Sequence, residues 1–468
     1  MKNIFFIFCA AILLFSNSFA TEGFEDSTGN KFVLTKDDSI FLDVLQYRTF
    51  LYFIDECNPE NGLVKDRSTE TSPASTAAVG FAFPVWAIGV EHDWITRDKA
   101  VDFTLAALKF LWGSKQGPGF NVTGYKGLYY HFLDMQTGLR YKESELSTID
   151  TALLFAGIIF ARQYFNQSNP REALIRTLAD KIIKRADWNF FVLPDTGKFA
   201  SALSMAWRPG KGYGRGSWTG YNEGLILYVF AAGSNTNRIQ KGYDTWLSFY
   251  KWEQPFADSS YSTNMNLAHV IFPPMFGHQY SQMFIDFRGI EDSYMKQKGI
   301  DYFINSRRAA LTQQKYAIAN PNNWKGYDSL TWGLTACDGP GSSFNFDNKE
   351  FKEYSARGTS GLEIVHNDDG TMAPTAAGGS IVFAPEIVIP TLRNMYDKYG
   401  TKGLWGNYGF VDAFNPTVNW YDDNYLGIDE GPIAIMIENY RNGFVWKYFM
   451  KDPLIKEGLR KLGFKENN

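Results

Sequence analysis

A chain of 468 residues with 46 Lys and Arg against 50 Asp and Glu, a net charge of −4, lacks the basic excess that binding a phosphate backbone needs, so nucleic acid is excluded as its partner. Three cysteines are too few for a disulfide framework, and after the first twenty residues no run approaches the roughly 18 apolar residues of a membrane span. The composition is instead aromatic, with 26 Tyr, 39 Phe and 13 Trp, many of them in loops rich in Gly, Asn and Asp where a core has no use for them.

Residues 1 to 20, MKNIFFIFCAAILLFSNSFA, carry one Lys, an apolar stretch from Ile4 to Phe15 and small residues at Ser18 and Ala20, the pattern of an export signal cut after Ala20. Residues 21 to 468 are then expected to form one domain, a monomer, delivered to the periplasm or outside the cell. Cys9 lies inside the apolar run, which argues against a lipid anchor. Cys57 and Cys337 remain, and the sequence leaves open whether they pair.

A helix is expected over 39 to 57. Residues 75 to 90 (STAAVGFAFPVWAIGV) are apolar on all sides, whereas 97 to 112 (RDKAVDFTLAALKFLW) place Val101, Leu105, Leu108 and Leu111 on one face. The first suits an inner helix and the second an outer one. The alternation recurs: 147 to 163 is apolar throughout, and 171 to 190 carries Leu174, Leu178, Ile182 and Ala186 as a stripe. It returns with 223 to 232 followed by 238 to 250, with 278 to 287 followed by 292 to 314, with 376 to 397, and with 431 to 441 followed by 452 to 462. Strand-like alternation is sparse outside the loops. Six inner and six outer helices with long aromatic-rich loops describe an all-α (α/α)6 toroid. A helical solenoid would need a fixed sequence period, and none is seen.

In a toroid the inner helices start at one end, so the polar residues near those starts are the candidates for chemistry. Ahead of 147 the chain reads LDMQTGLRYKESELSTID, crowding Asp134, Arg140, Glu143, Glu145 and Asp150 together. Ser147 and Asp150 fit a capping box, which accounts for Asp150 as well as catalysis does; Glu145 has no such account. The glycine-rich stretch WRPGKGYGRGSWTGYNEG delivers Trp207, Arg208, Trp218, Tyr221 and Glu223, and the apolar run LILYVFAA follows. Glu223 is therefore expected in the first turn of a buried helix, where the helix dipole also favours a carboxylate, among rings that suit the faces of a sugar.

FGHQYSQMFIDFR interrupts an apolar segment with His278, Gln279, Gln282, Asp286 and Arg288, polar groups that need partners or a wet cavity. An Asp286–Arg288 contact accounts for two of them structurally. His278 has no companion at metal-ligand spacing, and neither a metal nor another cofactor is expected. Trp332 sits in WKGYDSLTWGLTACDGPGSSF, a long loop that reads as a pocket wall. Asn367-Asp368-Asp369-Gly370 reads as a turn, and Asp422-Asp423 as a solvated loop. Asp412 lies in an aromatic loop, and Asp429-Glu430-Gly431-Pro432 opens the last inner helix, where Asp429 also fits an N-cap.

Glycosidic cleavage needs two carboxyl groups, one kept protonated to supply the leaving oxygen and one ionised across the sugar. Carboxylates at the starts of different inner helices provide candidates for both. The runs TGLRYKESELSTIDTALL, WTGYNEG, MFGHQYSQMFIDFR, GLTACDGP, APTAAGGSIVFAPE, YGFVDAFNP and IDEGPIAIMIENYRNG together resemble the bacterial glycoamylase-like glycosidases. Within that group the chain is similar to glycoside hydrolase family 144, the β-1,2-glucanases, over nearly all of its length after residue 20.

The resemblance implies an (α/α)6 toroid without a metal, hydrolysis with inversion, and linear β-1,2-glucans or their short oligomers as substrates. Carried over residue by residue, it implies Glu223 as general acid, with Asp429, Asp150, Glu145 and Asp412 as candidates for the base. Trp207, Arg208, Trp218, Tyr221, His278, Gln279, Asp286, Arg288 and Trp332 are assigned to sugar binding. Glu430 stands where that group is expected to carry Gln. The alternatives are an α-glucan hydrolase, as the older name glucoamylase denotes, and an exported glycan-binding protein without catalysis. A polysaccharide lyase on the same toroid is disfavoured by five scattered histidines and the acidic charge.

Overall fold

The computed structural model describes residues 32–253 and 267–466; the expected export signal at 1 to 20, with Cys9, lies outside them. Its helices, numbered in chain order, are α1 (Lys36–Asp55), α2 (Thr76–Glu91), α3 (Arg97–Gly113), α4 (Thr148–Tyr164), α5 (Pro170–Arg185), α6 (Leu225–Gly233), α7 (Tyr243–Ser248) and α8 (Phe276–Phe284). They continue with α9 (Ser293–Lys298), α10 (Tyr302–Ala319), α11 (Pro374–Gly378), α12 (Pro385–Tyr399), α13 (Gly427–Asn442), α14 (Phe444–Phe449) and α15 (Pro453–Lys461). The strands are two or three residues long and pair antiparallel within the loops.

The ring starts at the crossing of α2 and α4, both buried almost all round. A Cβ on Gly157 would stand 1.9 Å from Gly80 O, and one on Gly80 would stand 2.4 Å from Leu153 O, so only glycine lets the two backbones come this close. From α4 the ring passes to α6. The Ser281 hydroxyl of α8 then donates to Glu223 O at 2.8 Å and accepts from Ile226 N of α6 at 3.1 Å. Gln279 of α8 donates to Ala376 O and Ser380 Oγ, both at 2.9 Å, and Thr375 Oγ1 of α11 donates to Asp429 O of α13 at 3.0 Å. Packing of α13 on α2 closes the circle. Outside it, α1 covers α13, α5 covers α4, α10 covers α8 and α12 covers α11. This is the helical toroid expected from the alternation.

Details of the expected pairing change. The companion expected for α6, residues 238 to 250, shortens to α7, which sets Tyr243 and Trp246 against Tyr228. The larger cover over α6 is α15, which had been assigned to the last inner helix. The helix expected at 292 to 314 breaks into α9 and α10 because Gly299, at φ +68°, ends one and Asp301 caps the next. The stretch 376 to 397 likewise divides into α11 and α12, with Pro385 opening the second. Along α5 and its C-cap, Leu178, Ile182 and Ala186 are buried as expected, Ile175, Ala179 and Ile183 widen the stripe, and Leu174 faces solvent. Cys57 and Cys337 are both buried and free. Among the described residues no helix is long and apolar enough to cross a membrane.

Candidate active site

Beside the start of α4 a three-stranded sheet pairs Leu146 with Trp207, and Trp207 with Tyr213. This register brings Arg208 over Glu145, whose Oε2 accepts from Arg208 Nη2 at 3.0 Å. The other oxygen, Oε1, lies 2.9 Å from His131 Nδ1, and His131 Nε2 lies 3.6 Å from Asp150 Oδ1. Burial opposes a charge on His131, yet Asp150, then Glu145 and Asp66, push its pKa up to about 9. Partial burial works to raise Glu145, but the His131 contact and the Arg208 charge hold it down to about 2. His131, Glu145 and Arg208 are thus a set of fixed charges at neutral pH. Half of the expected capping box is present: Ser147 Oγ caps α4 by accepting from Asp150 N at 3.2 Å, but the Asp150 carboxyl accepts from the Ser147 hydroxyl and not from its backbone N–H. Trp207 is half-buried against Tyr125 and Phe190. Glu143 pairs with Lys211 at the surface.

Glu223 stands two residues ahead of α6 rather than in its first turn, because Asn222 Oδ1 accepts Gly224 N at 2.8 Å and delays the helix. Glu223 is half-buried, and its Oε2 is buried with no hydrogen-bond partner. Burial, helped by the charge of Asp150, pushes its pKa up to about 7. A carboxyl that keeps its proton near neutral pH and has a bare oxygen is equipped to donate.

A second acidic group gathers at the start of α13. Carboxylate oxygens of Asp338, Asp412 and Asp422 lie within 4.8 Å of one another. Asp412 Oδ2 accepts Asp338 N at 2.7 Å, and the Asp412 carboxyl is hydrogen-bonded to that of Asp429. Asp412 Oδ1 and Asp429 Oδ2 are buried with no N–H or O–H donor of another residue, so a proton held between the two carboxyls is what satisfies them. Burial first raises both groups; the charge of Asp429 then raises Asp412, whereas the Asp412 hydrogen bond lowers Asp429 and Glu430 raises it, so the two carboxyls titrate as a pair that shares a proton. Three close carboxylates also suit a cation, but Arg67 already meets Asp338 Oδ2 at 2.8 Å and Asp412 is committed to Asp338 N and Asp429. The set is arranged to share protons.

Several readings of this end are corrected. Asp429 is no N-cap: Leu426 holds that position, and Asp429 is the third residue of α13. Asp422 is buried, and burial with the neighbouring Asp338 lifts its pKa to about 6; only Asp423 is solvated. Glu430 is buried, and its environment, burial foremost, raises its pKa well above the usual range, so it stays neutral as the expected Gln would. Asn367 and Gly370 do make a turn with positive φ, but Asp368 accepts from Tyr316, Trp324 and Tyr327, and Asp369 binds Arg357.

Arg357 is fully buried and donates to both oxygens of Asp369 at 2.8 Å, to Cys337 O at 2.8 Å and to Lys352 O at 2.9 Å. It reaches them only because residue 339 is glycine, where a Cβ would lie 2.2 Å from Arg357 Nη2. The strut fixes the Cys337–Asp338 backbone, and with it the N–H that holds Asp412.

Both acidic groups lie around one tyrosine. Tyr280, whose hydroxyl donates to Ile428 O at 3.2 Å, is raised by burial and then by Asp429, Tyr354, Glu223 and Asp150 in that order. The starts of α4, α6 and α13 therefore converge on a single ring. Other expected binding residues are elsewhere. Trp218 donates to Thr148 Oγ1, Tyr221 stacks on Tyr302 at 5.5 Å, and Trp332 is 1% exposed; all three are core. His278 Nε2 donates to Phe272 O at 3.0 Å and its Nδ1 accepts from Asn305 Nδ2 at 3.4 Å, and burial drives its pKa down to about 3, leaving it neutral. Gln279 is the strut to α11 described above. Asp286 and Arg288 follow the C-terminal end of α8, opposite the cavity, paired with each other at 2.7 Å while Arg288 covers Trp446. Arg67, His131, Asp338 and Tyr354 escaped the sequence reading, since each is an isolated polar or aromatic residue whose partner is distant in sequence.

The Glycoamylase family, described as putative glucoamylase, matches over residues 216–453, from the loop before Glu223 to the start of α15. The chain belongs to the glycoamylase family. A member of known structure, a putative glucoamylase of Bacteroides uniformis, is 32% identical and superposes with a TM-score of 0.77 over 94% of this chain and 100% of that one. An endo-β-1,2-glucanase of Chitinophaga pinensis, in complex with sophorotriose and glucose, is 27% identical with a TM-score of 0.76 over 92% of this chain and 99% of that one. An exo β-1,2-glucooligosaccharide sophorohydrolase (non-reducing end) of Parabacteroides distasonis is 30% identical over 454 residues, 91% of this chain. The chain spans 58% of the length of that relative.

Proposed function

We propose that the protein is a glycoside hydrolase that cleaves β-1,2-linked glucan or gluco-oligosaccharides by general acid–base catalysis. Glu223 gives its proton to the glycosidic oxygen as the bond to the anomeric carbon breaks. The Asp412–Asp429 pair takes a proton from a water whose oxygen bonds to that carbon from the opposite face, so the configuration inverts. Glu223 is then ionised and the pair carries the extra proton, and exchange with solvent resets both. His131, Glu145, Asp150 and Arg208, linked side chain to side chain, hold the sugar hydroxyls.

The observation that carries this reading is a proton-holding carboxyl with a bare oxygen at Glu223 and a hydrogen-bonded carboxyl pair at Asp412 and Asp429, with Glu223 and Asp429 both within electrostatic reach of Tyr280. The likeness to β-1,2-glucan hydrolases supports the linkage. The apolar stretch at 1 to 20 supports export to the periplasm or beyond, and a secreted form beginning at residue 21 is the expected result of mass analysis. To test the activity, the protein from residue 21 onward is incubated separately with linear β-1,2-glucan, soluble starch and laminarin, and products are separated over time. Products from the β-1,2-glucan alone are expected. A ladder of sizes marks internal cutting and a single small product marks action from one end. Glucose from starch alone, or no product from any of the three, overturns the proposal.

A further inference from the structure

Among the described residues, three of the four Trp and Tyr rings assigned to sugar binding are closed off, and Trp207 is half-buried against Tyr125 and Phe190. Trp218, Tyr221 and Trp332 are 5%, 6% and 1% exposed, so none of them has a face to offer. Tyr354 is 51% exposed. It directly precedes the short strand Ser355–Ala356, which pairs antiparallel with Ala336–Cys337 so that Ser355 opposes Cys337. One step further along that register, Tyr354 opposes Asp338, the residue whose N–H holds Asp412. An exposed tyrosine is thereby fixed beside the one-proton carboxyl pair.

We propose that Tyr354 forms a glucosyl-binding subsite on the Asp412–Asp429 wall of the cavity, its open ring face stacking on one pyranose of the substrate. The inference rests on the β-1,2-glucan reading above and adds a residue to it. Aromatic rings bind sugars through the apolar C–H face of the pyranose, which needs an exposed ring in a fixed orientation. The orientation is supplied by Arg357, which clamps the carbonyls of Lys352 and Glu353, immediately ahead of Tyr354, at 2.9 and 3.1 Å. Tyr354 is also within electrostatic reach of Asp429, of Asp412 and of Tyr280, whose hydroxyl bonds the start of α13.

The test compares wild type with Tyr354→Ala and Tyr354→Phe, using hydrolysis of β-1,2-gluco-oligosaccharides and binding of sophorotriose, laminaritriose and maltotriose in a Glu223→Gln background. Loss of the ring is expected to raise KM and the sophorotriose Kd at least about tenfold while kcat falls less than threefold. Tyr354→Phe, which keeps the ring, is expected to restore both constants to within threefold of wild type. Melting temperatures of the two variants should match, since an exposed side chain carries little of the core. A Tyr354→Ala protein with unchanged KM and Kd overturns the subsite, as does a Tyr354→Phe protein as impaired as the alanine variant. If maltotriose binds and sophorotriose does not, the linkage reading fails, and the same alanine–phenylalanine comparison on maltotriose decides the subsite. Failure to bind any of the three sugars overturns both.

Discussion

Replacing Glu223 by Gln separates the cost of its charge from its chemistry. In the folded protein the Glu223 pKa is pushed from 4.5 to about 7, so between those values the folded state holds a proton that the unfolded chain has released. Stability therefore falls as pH rises through this window. The penalty is absent below about pH 4, where both states are protonated, and complete above about pH 8. At 1.36 kcal/mol per pH unit the full penalty is about 3 kcal/mol. Gln never bears it. Scaling roughly 2.1 cal/mol/K per residue to 468 residues makes 1 kcal/mol worth about 1 °C in Tm. Glu223→Gln should melt with wild type at pH 4.5 and about 3 °C above it at pH 8.5, while hydrolysis of β-1,2-glucan falls at least about a hundredfold. Thermal melts across pH and product chromatography at pH 6.5 are the measurements. A Tm difference that does not change with pH removes the buried charge from the account, and near-normal turnover removes Glu223 from the chemistry.

His131 has the opposite sign. Its pKa is raised from 6.5 to about 9, so its stabilising charge is fully present below pH 6.5 and lost as pH rises through about 9. His131→Asn should cost up to about 3 kcal/mol at pH 6, with the melting curves converging near pH 10. Arg357→Met leaves Asp369 buried and unpaired, and urea titration should show a loss of about 3–5 kcal/mol. Gly157→Ala forces a methyl to within 1.9 Å of Gly80 O, and a loss of at least about 1–3 kcal/mol in the same assay is expected. Asp429→Asn abolishes proton sharing with Asp412, so turnover should drop at least about a hundredfold with the fold intact by circular dichroism.

The helices were legible because an inner helix of a toroid is apolar all round and an outer one is striped, a contrast that survives in a bare string of residues. Ser147, Asp150 and Glu223 were legible for the same local reason, being tied to helix starts. Where local and distant partners compete, the sequence is mute. Trp218, Tyr221 and Trp332 look like pocket residues because their neighbours are glycines, yet Thr148 and Tyr302, far along the chain, receive the first two as core. Asp422 reads as solvated beside Asp423, and only its approach to Asp338 and Asp412 reveals it as part of a carboxyl cluster. His131 has no signal of its own, since both its partners, Glu145 and Asp150, serve adjacent roles. Asp286 and Arg288 failed through direction, as a helix nine residues long carries its last side chains away from the end where the first ones gather.

The cover of α6 by α15 sets an order on biogenesis. Lys461 of α15 donates to Ala232 O across 229 residues of chain, so the helix behind Glu223 stays uncapped on its outer side until that distant segment has left the ribosome. The acid is consequently assembled late in synthesis, and a nascent chain that holds every residue of the cavity still lacks the backing that fixes Glu223 in place.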